Sequence, residues 1–438
     1  MRAQVASEEP DSELDGLLTA LGAPSAADIA DAPARHVAAA AAELVQQAFS
    51  LHHLLEAAEC NREELLLGDL CLVSAAELVA GLGRADVEAE FSRAAMAAST
   101  GASPTSHLER AVELAGLPAP AALPASTADG GGDESGMLER RLEEILAADP
   151  EAVSRPMADL LHAGGKRLRP RLSFLWSSLG PRHAPAAAAT LGCVFEFIHD
   201  AALVHDDIVD DSPMRRGKPA VHVAYGAGTA VRVGDYYFGR AAELLAGLGS
   251  HEVTRIAIDA VVRVCRAQLE EYRSRAGEPV DEARYLRTVE GKTAALFSGA
   301  CAAGAALAGC DDSVVDAAAA YGLELGIAFQ VADDLIDFLP TSGKPLAQDL
   351  RQGVTSLPLL YALRDPKVGP ELQELVAAAD VDGDRAARLV RESGAMERAR
   401  ALAETYRDRA LTRLAAVPAG AVRDQLSEIA TQAVTRES

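Results

Sequence analysis

Two short acidic clusters carry the strongest chemical signal in this sequence: Asp206-Asp207-Ile-Val-Asp210-Asp211 and Asp333-Asp334-Leu-Ile-Asp337. On a helix, carboxylates at i and i+4 share one face, ~5–6 Å apart. Such crowding of like charge is tolerable in water and useful where a divalent cation lies between the acids. Hard oxygen donors with room for water suit Mg2+, which commonly bridges to substrate phosphates. One such cluster alone reads most simply as a solvated helix face. Two copies, each embedded in apolar sequence (AALVHDD and FQVADDLIDFL), place their carboxylates at a cleft instead.

The lysines point the same way. Only five of the 41 basic residues are Lys, and four of them directly follow glycine: Lys166, Lys218, Lys292 and Lys344. An ammonium approaches phosphate as a point charge, and a neighbouring glycine lets backbone N–H groups close in. Arginines gather at the same places: Arg167, Arg169 and Arg171 in GGKRLRPR, and Arg215 and Arg216 in MRRGKP. There is no GxxxxGK[ST] loop, so this is not a P-loop arrangement. Cationic segments beside two Mg2+-type acidic sites describe two diphosphates held side by side.

The elements that must position these residues are helical. Segments 137–147, 314–338 and 386–415 place apolar residues at three- and four-residue spacing, and alternating Val/Ile/Thr runs are scarce. The expected fold class is all-α. At 438 residues the chain has length for two or three domains, and 49% hydrophobic content excludes general disorder. A formal charge of −24 argues against nucleic acid or anionic membrane as the main partner. Six Cys include no CxxC pair and read as buried reduced thiols. The acidic N-terminus has no apolar signal core, and the longest small-apolar run, 299–310, is too short to span a bilayer. A cytoplasmic protein without a transmembrane segment is the expectation.

The Pro-, Ala- and Gly-rich stretch 117–136 reads as a linker between a helical region, 1–116, and a larger unit, 137–438. Residues 1–136 hold 6 Arg, no Lys and 22 acids, a net of −16. The two parts share a repeat. LGDLCLVSAAELVAGLG (67–83) aligns without gaps to VGDYYFGRAAELLAGLG (233–249) at an offset of 166, with ten of 17 positions identical. Upstream, FSLHH (49–53) resembles ALVHD (202–206) at an offset of 153, so the first copy lacks 13 residues between the blocks.

GGKRLRP (164–170), HDDIVDDSPMRRGKP (205–219), GKT (291–293), FQVADDLID (329–337) and GKPLAQDLRQG (343–353) occur in that order. In type, order and spacing they resemble the motifs of the trans-isoprenyl (polyprenyl) diphosphate synthases, a likeness that covers essentially all of 137–438. The resemblance implies an all-α bundle of isoprenoid synthase type around a central cavity, working as a homodimer. It implies that Asp206, Asp207, Asp210, Asp333, Asp334 and Asp337 hold Mg2+, three ions with substrate bound, against an allylic prenyl diphosphate. Arg215, Lys292, Thr293, Gln330 and Lys344 match residues that contact that diphosphate; Lys166, Arg169, His199 and Arg216 match the isopentenyl diphosphate pocket. The implied reaction ionises the allylic C–O bond, adds the isopentenyl double bond to the cation and loses a proton. Val354 stands where many relatives have Lys, and Ala267 where Gly is common; neither change removes a metal ligand.

In this family the floor below the first Asp motif sets product length. Ala201 and Ala202, five and four residues before Asp206, leave that channel open where short-chain relatives carry Phe or Tyr. An all-trans product longer than C20 is therefore expected, unless Phe195 or Phe238 closes the floor. A farnesyl or geranylgeranyl product is the shorter alternative, and a class I terpene cyclase the rival chemistry; a cyclase would need neither GGKRLRP nor His199. The first copy has His52-His53-Leu54-Leu55 where the second has His205-Asp206-Asp207-Ile208. It is read as a catalytically dead partial duplicate. Its Gly-Asp helix resembles one that family members use for dimer contacts, so a pseudo-subunit and a plain acidic appendage both stay open.

Overall fold

The structure is a computed structural model, and it describes residues 34–54, 62–117, 134–274, 280–339, 356–376 and 382–435. Among the described residues, the N-terminal region holds four helices: α1 (Ala34–Leu54), α2 (Arg62–Gly81), α3 (Ala85–Ser99) and α4 (Thr105–Ala115). Next come α5 (Glu134–Ala148), α6 (Glu151–His162), α7 (Leu168–Ser177) and α8 (Pro185–Val209). A two-residue antiparallel pair, β1 (Met214–Arg215) and β2 (Lys218–Pro219), follows. The chain then forms α9 (Val221–Tyr225), α10 (Ala227–Leu248), α11 (His251–Ser274) and α12 (Glu282–Val289). A π-helical turn, Glu290–Ala294, leads into α13 (Ala295–Leu307) and α14 (Asp312–Ile336). The C-terminal helices are α15 (Leu357–Leu363), α16 (Gly369–Val376), α17 (Gly383–Glu392), α18 (Ala395–Arg413) and α19 (Ala421–Val434).

The all-α expectation holds, with small shifts of boundary. The helix expected at 137–147 begins earlier, at Glu134, and the one expected at 386–415 is two. Gly394, at φ 74°, takes a left-handed conformation that breaks the period between α17 and α18. Helices α8 and α14 are long and apolar enough to cross a bilayer. Here they are the central helices of the bundle, α8 packed on α7 and α10, α14 on α13 and α18. Cys71, Cys193, Cys265 and Cys301 are buried free thiols and Cys310 is half-buried and free; Cys60 lies outside the described residues.

The repeat found in the sequence is also a repeat in space. Helix α1 packs on α2 as α8 packs on α10; α3 then packs on α10, and α11 on α2. Each copy thus lends its third helix to the other, the reciprocity of a two-fold interface. Polar contacts repeat the exchange. His205 Nδ1 meets Asp69 Oδ1 at 2.8 Å, and His52 Nδ1 meets Asp235 Oδ2 at 2.9 Å. The other ring nitrogens reach equivalent carbonyls, His205 Nε2 to Val231 O at 3.0 Å and His52 Nε2 to Leu65 O at 3.1 Å. All four side chains are buried, and the two rings stand edge to face with centroids 5.9 Å apart. Burial opposes charge on both imidazoles, yet the facing aspartates prevail: the His205 pKa is pushed up to about 9 and that of His52 is also raised. Gly68 and Gly234 make this possible, since a Cβ on either would lie 2.1 Å from the Nε2 of His52 or His205. One hydrophobic core runs through both copies, from Leu44 and Leu66 to Phe195 and Val261.

Candidate active site

The first Asp cluster ends α8, with Asp210 as its C-terminal cap. Asp206 accepts from Gln268 of α11 and, at 3.1 Å, from Lys292 Nζ, both at Oδ1. Asp207 is directed elsewhere: it is buried and accepts from Arg215 Nε at 2.9 Å. Burial raises its pKa against the pull of Arg215. An i, i+4 pair therefore divides from the residue between: Asp206 and Asp210 share a face, and Asp207 holds the β1 arginine.

The second cluster divides in the same way. Asp333 is exposed and Asp337, which caps α14, is half-buried. Asp334 is buried and fully engaged, accepting from Tyr285 Oη at 2.7 Å, Leu357 N at 3.0 Å and Gln330 Nε2 at 3.0 Å. Burial lifts its pKa to about 6. Of these two expected metal ligands, Asp334 has both oxygens bonded to protein donors and Asp207 has its Oδ1 bonded to Arg215.

The π-helical turn joins the two clusters. Its Lys292 donates to Glu271 at 2.8 Å as well as to Asp206. Burial works against the ammonium, but Asp206, Glu271 and Asp210 together raise its pKa. The next residue, Thr293, donates from Oγ1 to Gln330 Oε1 at 2.8 Å, and Gln330 reaches Asp334. Lys292 and Thr293 thus face different helices from adjacent positions, Lys292 towards α8 and α11 and Thr293 towards α14.

A separate cationic site lies before α7 and along α8. Gly164 (φ 115°) and Gly165 (φ 147°) bend the loop that precedes α7, with Arg167 left-handed at φ 46°. Lys166 is exposed on this loop. Arg167 donates to Glu196 at 2.5 Å, and Arg216 to Asp200 at 3.0 Å and Leu160 O at 3.1 Å. Arg169 lies over the Phe297 ring, 4.6 Å from its centroid, and burial lowers its pKa to about 10. His199 is held well below its usual pKa by burial and by Arg169, Arg216, Arg215 and Arg167. A neutral imidazole among four guanidinium groups fits an anionic ligand. Burial, with Glu196 nearby, pushes the Asp200 carboxyl up to about 7.

Of the expected residues, the structure pairs Asp206 with Lys292 and Asp207 with Arg215, and links Thr293, Gln330 and Asp334 in a third set. Lys344 and the GKPLAQDLRQG segment lie outside the described residues. Ala201 is buried in the core, and Ala202 is half-buried one helical step nearer the Asp cluster. Sequence reasoning missed Glu196, Asp200, Gln268, Glu271 and Tyr285. Asp200 and Gln268 adjoin His199 and Ala267, which the sequence analysis named, but all five lie on helices whose facing could not be read from one sequence.

The donor set is entirely carboxylate oxygen, which fits a hard divalent cation. Among the described residues, His52, Asp69 and Asp235 place ligand-type atoms within 4.8 Å of one another. Both His52 ring nitrogens are already bonded to protein, so that trio is a structural ion-pair cluster.

An all-α bundle with two acid-ended helices and a second, arginine-lined site around His199 fits a prenyl diphosphate synthase. The polyprenyl synthetase family matches residues 150–392, and the chain belongs to that family and is a prenyltransferase. It is 33% identical over 308 residues to heptaprenyl diphosphate synthase component 2 of Geobacillus stearothermophilus, covering 68% of this chain and 94% of that one. It is 36% identical over 309 residues to nonaprenyl diphosphate synthase of Mycobacterium tuberculosis, covering 68% and 91%. Among solved structures it resembles the Caulobacter crescentus polyprenyl synthase complexed with calcium and isoprenyl diphosphate. The TM-score is 0.62 and the identity 34%, over 71% of this chain and 100% of that one. A Rhodobacter capsulatus decaprenyl diphosphate synthase matches with TM-score 0.64 and 32% identity, over 70% and 96%.

Proposed function

We propose that this chain condenses isopentenyl diphosphate head-to-tail with an allylic prenyl diphosphate, giving an all-trans product longer than C20. The observation that carries this is the pairing of two distinct anion sites. One is the lysine turn between the Asp clusters, and the other is the arginine nest around His199. Asp206, Asp210, Asp333 and Asp337 are the residues that would hold the divalent ions, which we take to be Mg2+, three with substrate bound. When bound, these ions neutralise the departing diphosphate. Lys292, Thr293, Gln330, Arg215 and Lys344 would bind that diphosphate, while Asp207 and Asp334 fix Arg215 and Gln330 in place. Lys166, Arg169, Arg216 and neutral His199 would orient the isopentenyl diphosphate so that its double bond meets the allylic cation. Names of long-chain synthases among the relatives and the methyl-sized Ala201 and Ala202 support a long product.

The same reading extends to assembly. A homodimer was the expectation, but here the reciprocal His–Asp surface of the catalytic unit is met within one chain. We take residues 34–115 as a degenerate copy standing in for a second subunit at that surface.

The test is product analysis by mass with full-length protein and each substrate alone, then both. Prenyl diphosphates longer than C20 should form only with both substrates, stop with EDTA and resume with Mg2+. Release of a hydrocarbon from the allylic diphosphate alone would overturn condensation in favour of cyclisation.

A further inference from the structure

Behind the arginine nest, α8 buries two acids one turn apart, Glu196 and Asp200. At i, i+4 spacing they share a helix face, and as like charges out of water they oppose each other. Each is offset by one guanidinium, Glu196 by Arg167 at 2.5 Å and Asp200 by Arg216 at 3.0 Å. Asp200 is the less favourable of the two, because its Oδ2 is buried without a partner. Burial and Glu196 press its carboxyl towards neutrality, and Arg216 and Arg167 counter them. An acid kept in such a place points to a task beyond packing.

The two arginines so held have an unusual backbone. Among the described residues only Arg167 (φ 46°), Asp211 (φ 52°) and Arg216 (φ 49°) are left-handed without being glycine. That conformation is unfavourable for a residue with a side chain and persists where the surroundings fix it. Arg216 sits in the turn between β1 and β2, with Nη1 bonded to Leu160 O of α6 and Nη2 to Asp200. Both guanidinium groups stand against Gly165, where a Cβ would lie 3.2 Å from Arg167 Nη1 and 3.5 Å from Arg216 Nη2. They therefore meet at the loop that carries Lys166. The side chains of Arg216 and Arg167 are 19% and 16% exposed, against 0% for Asp200 and 4% for Glu196. The arginines can touch a ligand; the acids behind them cannot.

We propose that Asp200 is a positioning residue for the isopentenyl diphosphate site: it fixes the Arg216 guanidinium at the wall of that site, as Glu196 fixes that of Arg167. The assignment rests on the condensation reading given above, in which Arg216 orients that diphosphate. Charge and position act in opposite senses here. A carboxylate behind the site repels an incoming anion, so by charge alone its removal would tighten binding. A guanidinium released from Asp200 loses the fixed direction from which it meets the diphosphate, so by position its removal weakens binding. Position prevails in this assignment.

Steady-state kinetics of full-length variants, with each substrate varied in turn, test it. Asp200→Ala removes the acceptor and should raise KM for isopentenyl diphosphate at least about tenfold, through loss of one charge-assisted hydrogen bond. Asp200→Asn keeps an acceptor oxygen without the charge and should raise it about threefold. KM for the allylic diphosphate should stay within about twofold in both, a split that a general loosening of the fold would not produce. In an Arg216→Ala background, Asp200→Ala should change KM for isopentenyl diphosphate by less than about twofold, since its effect runs through the arginine. Circular dichroism checks that the variants fold; if Asp200→Ala does not, the same split in Asp200→Asn decides. An unchanged or lower KM for isopentenyl diphosphate, an equal rise for both substrates, or additive effects of Asp200 and Arg216 would overturn this assignment alone. A wild-type chain that forms no product from both substrates would overturn the condensation reading, and the assignment with it.

Discussion

Replacing Gly68 by Ala should destabilise the protein, although the same change on a free helix is favourable. Gly68 lies within α2, where Ala in place of Gly stabilises by about 1 kcal/mol. The added methyl would sit 2.1 Å from His52 Nε2, and the ring cannot yield without leaving its partners. It would lose the bond to Asp235 and the one to Leu65 O. A charge-assisted hydrogen bond is worth about 1.5–3 kcal/mol and a neutral one about 1 kcal/mol. Asp235 would stay buried, with one oxygen already unpaired. Set against the gain in helix propensity, the net cost is about 1.5–3 kcal/mol. Gly81, the last residue of the same helix, is the control, because a Cβ there meets nothing within 4 Å. Urea unfolding of both variants should show Gly68→Ala well below wild type and Gly81→Ala level with it or above. Equal midpoints for the two would refute the claim that the His–Asp exchange locks the copies together.

Two other outcomes follow from the site and the interface. Ala202→Phe puts a ring four residues before Asp206 on α8, so products should shorten towards C15–C20 while the first condensation persists; an unchanged product ladder would count against an open floor below the first Asp cluster. The His52 pKa is raised above the usual 6.5 by Asp235 and Asp69, against burial and His205. Its contribution to stability is therefore fully present below pH 6.5 and is lost as pH rises through the folded value. The stability of wild type relative to His52→Asn, from urea midpoints across that range, should shrink with rising pH, and a gap that widens would contradict the sign.

The sequence alone was enough for the chemistry and for the fold class. Carboxylates at i, i+4 spacing, lysines after glycines and apolar residues at helical period are local patterns, and each survives reading without a partner. The repeat was legible through 67–83, where Gly-Asp and Gly-Leu-Gly stand in register with 233–249. Beyond that block its two copies diverge in chemistry, Glu88 against Thr254 and Ser92 against Ile258, so identity fades while position persists. Only the packing of helices reveals that these residues line one cavity.

What tertiary structure decided was the direction of each side chain. Asp206 and Asp207 are neighbours in sequence, but a helix turns by about 100° per residue, which sends one towards Lys292 and the other towards Arg215. Asp334 lies beside Asp333 and is taken inward by Tyr285 and the backbone of Leu357. His52 and Asp235 are 183 residues apart, and nothing local to either reveals the pairing. Burial of the shared core brings them together, and the missing Cβ at Gly68 and Gly234 leaves space for the rings. The motifs named the chemistry; the packing of one copy against the other determined which surfaces it can use.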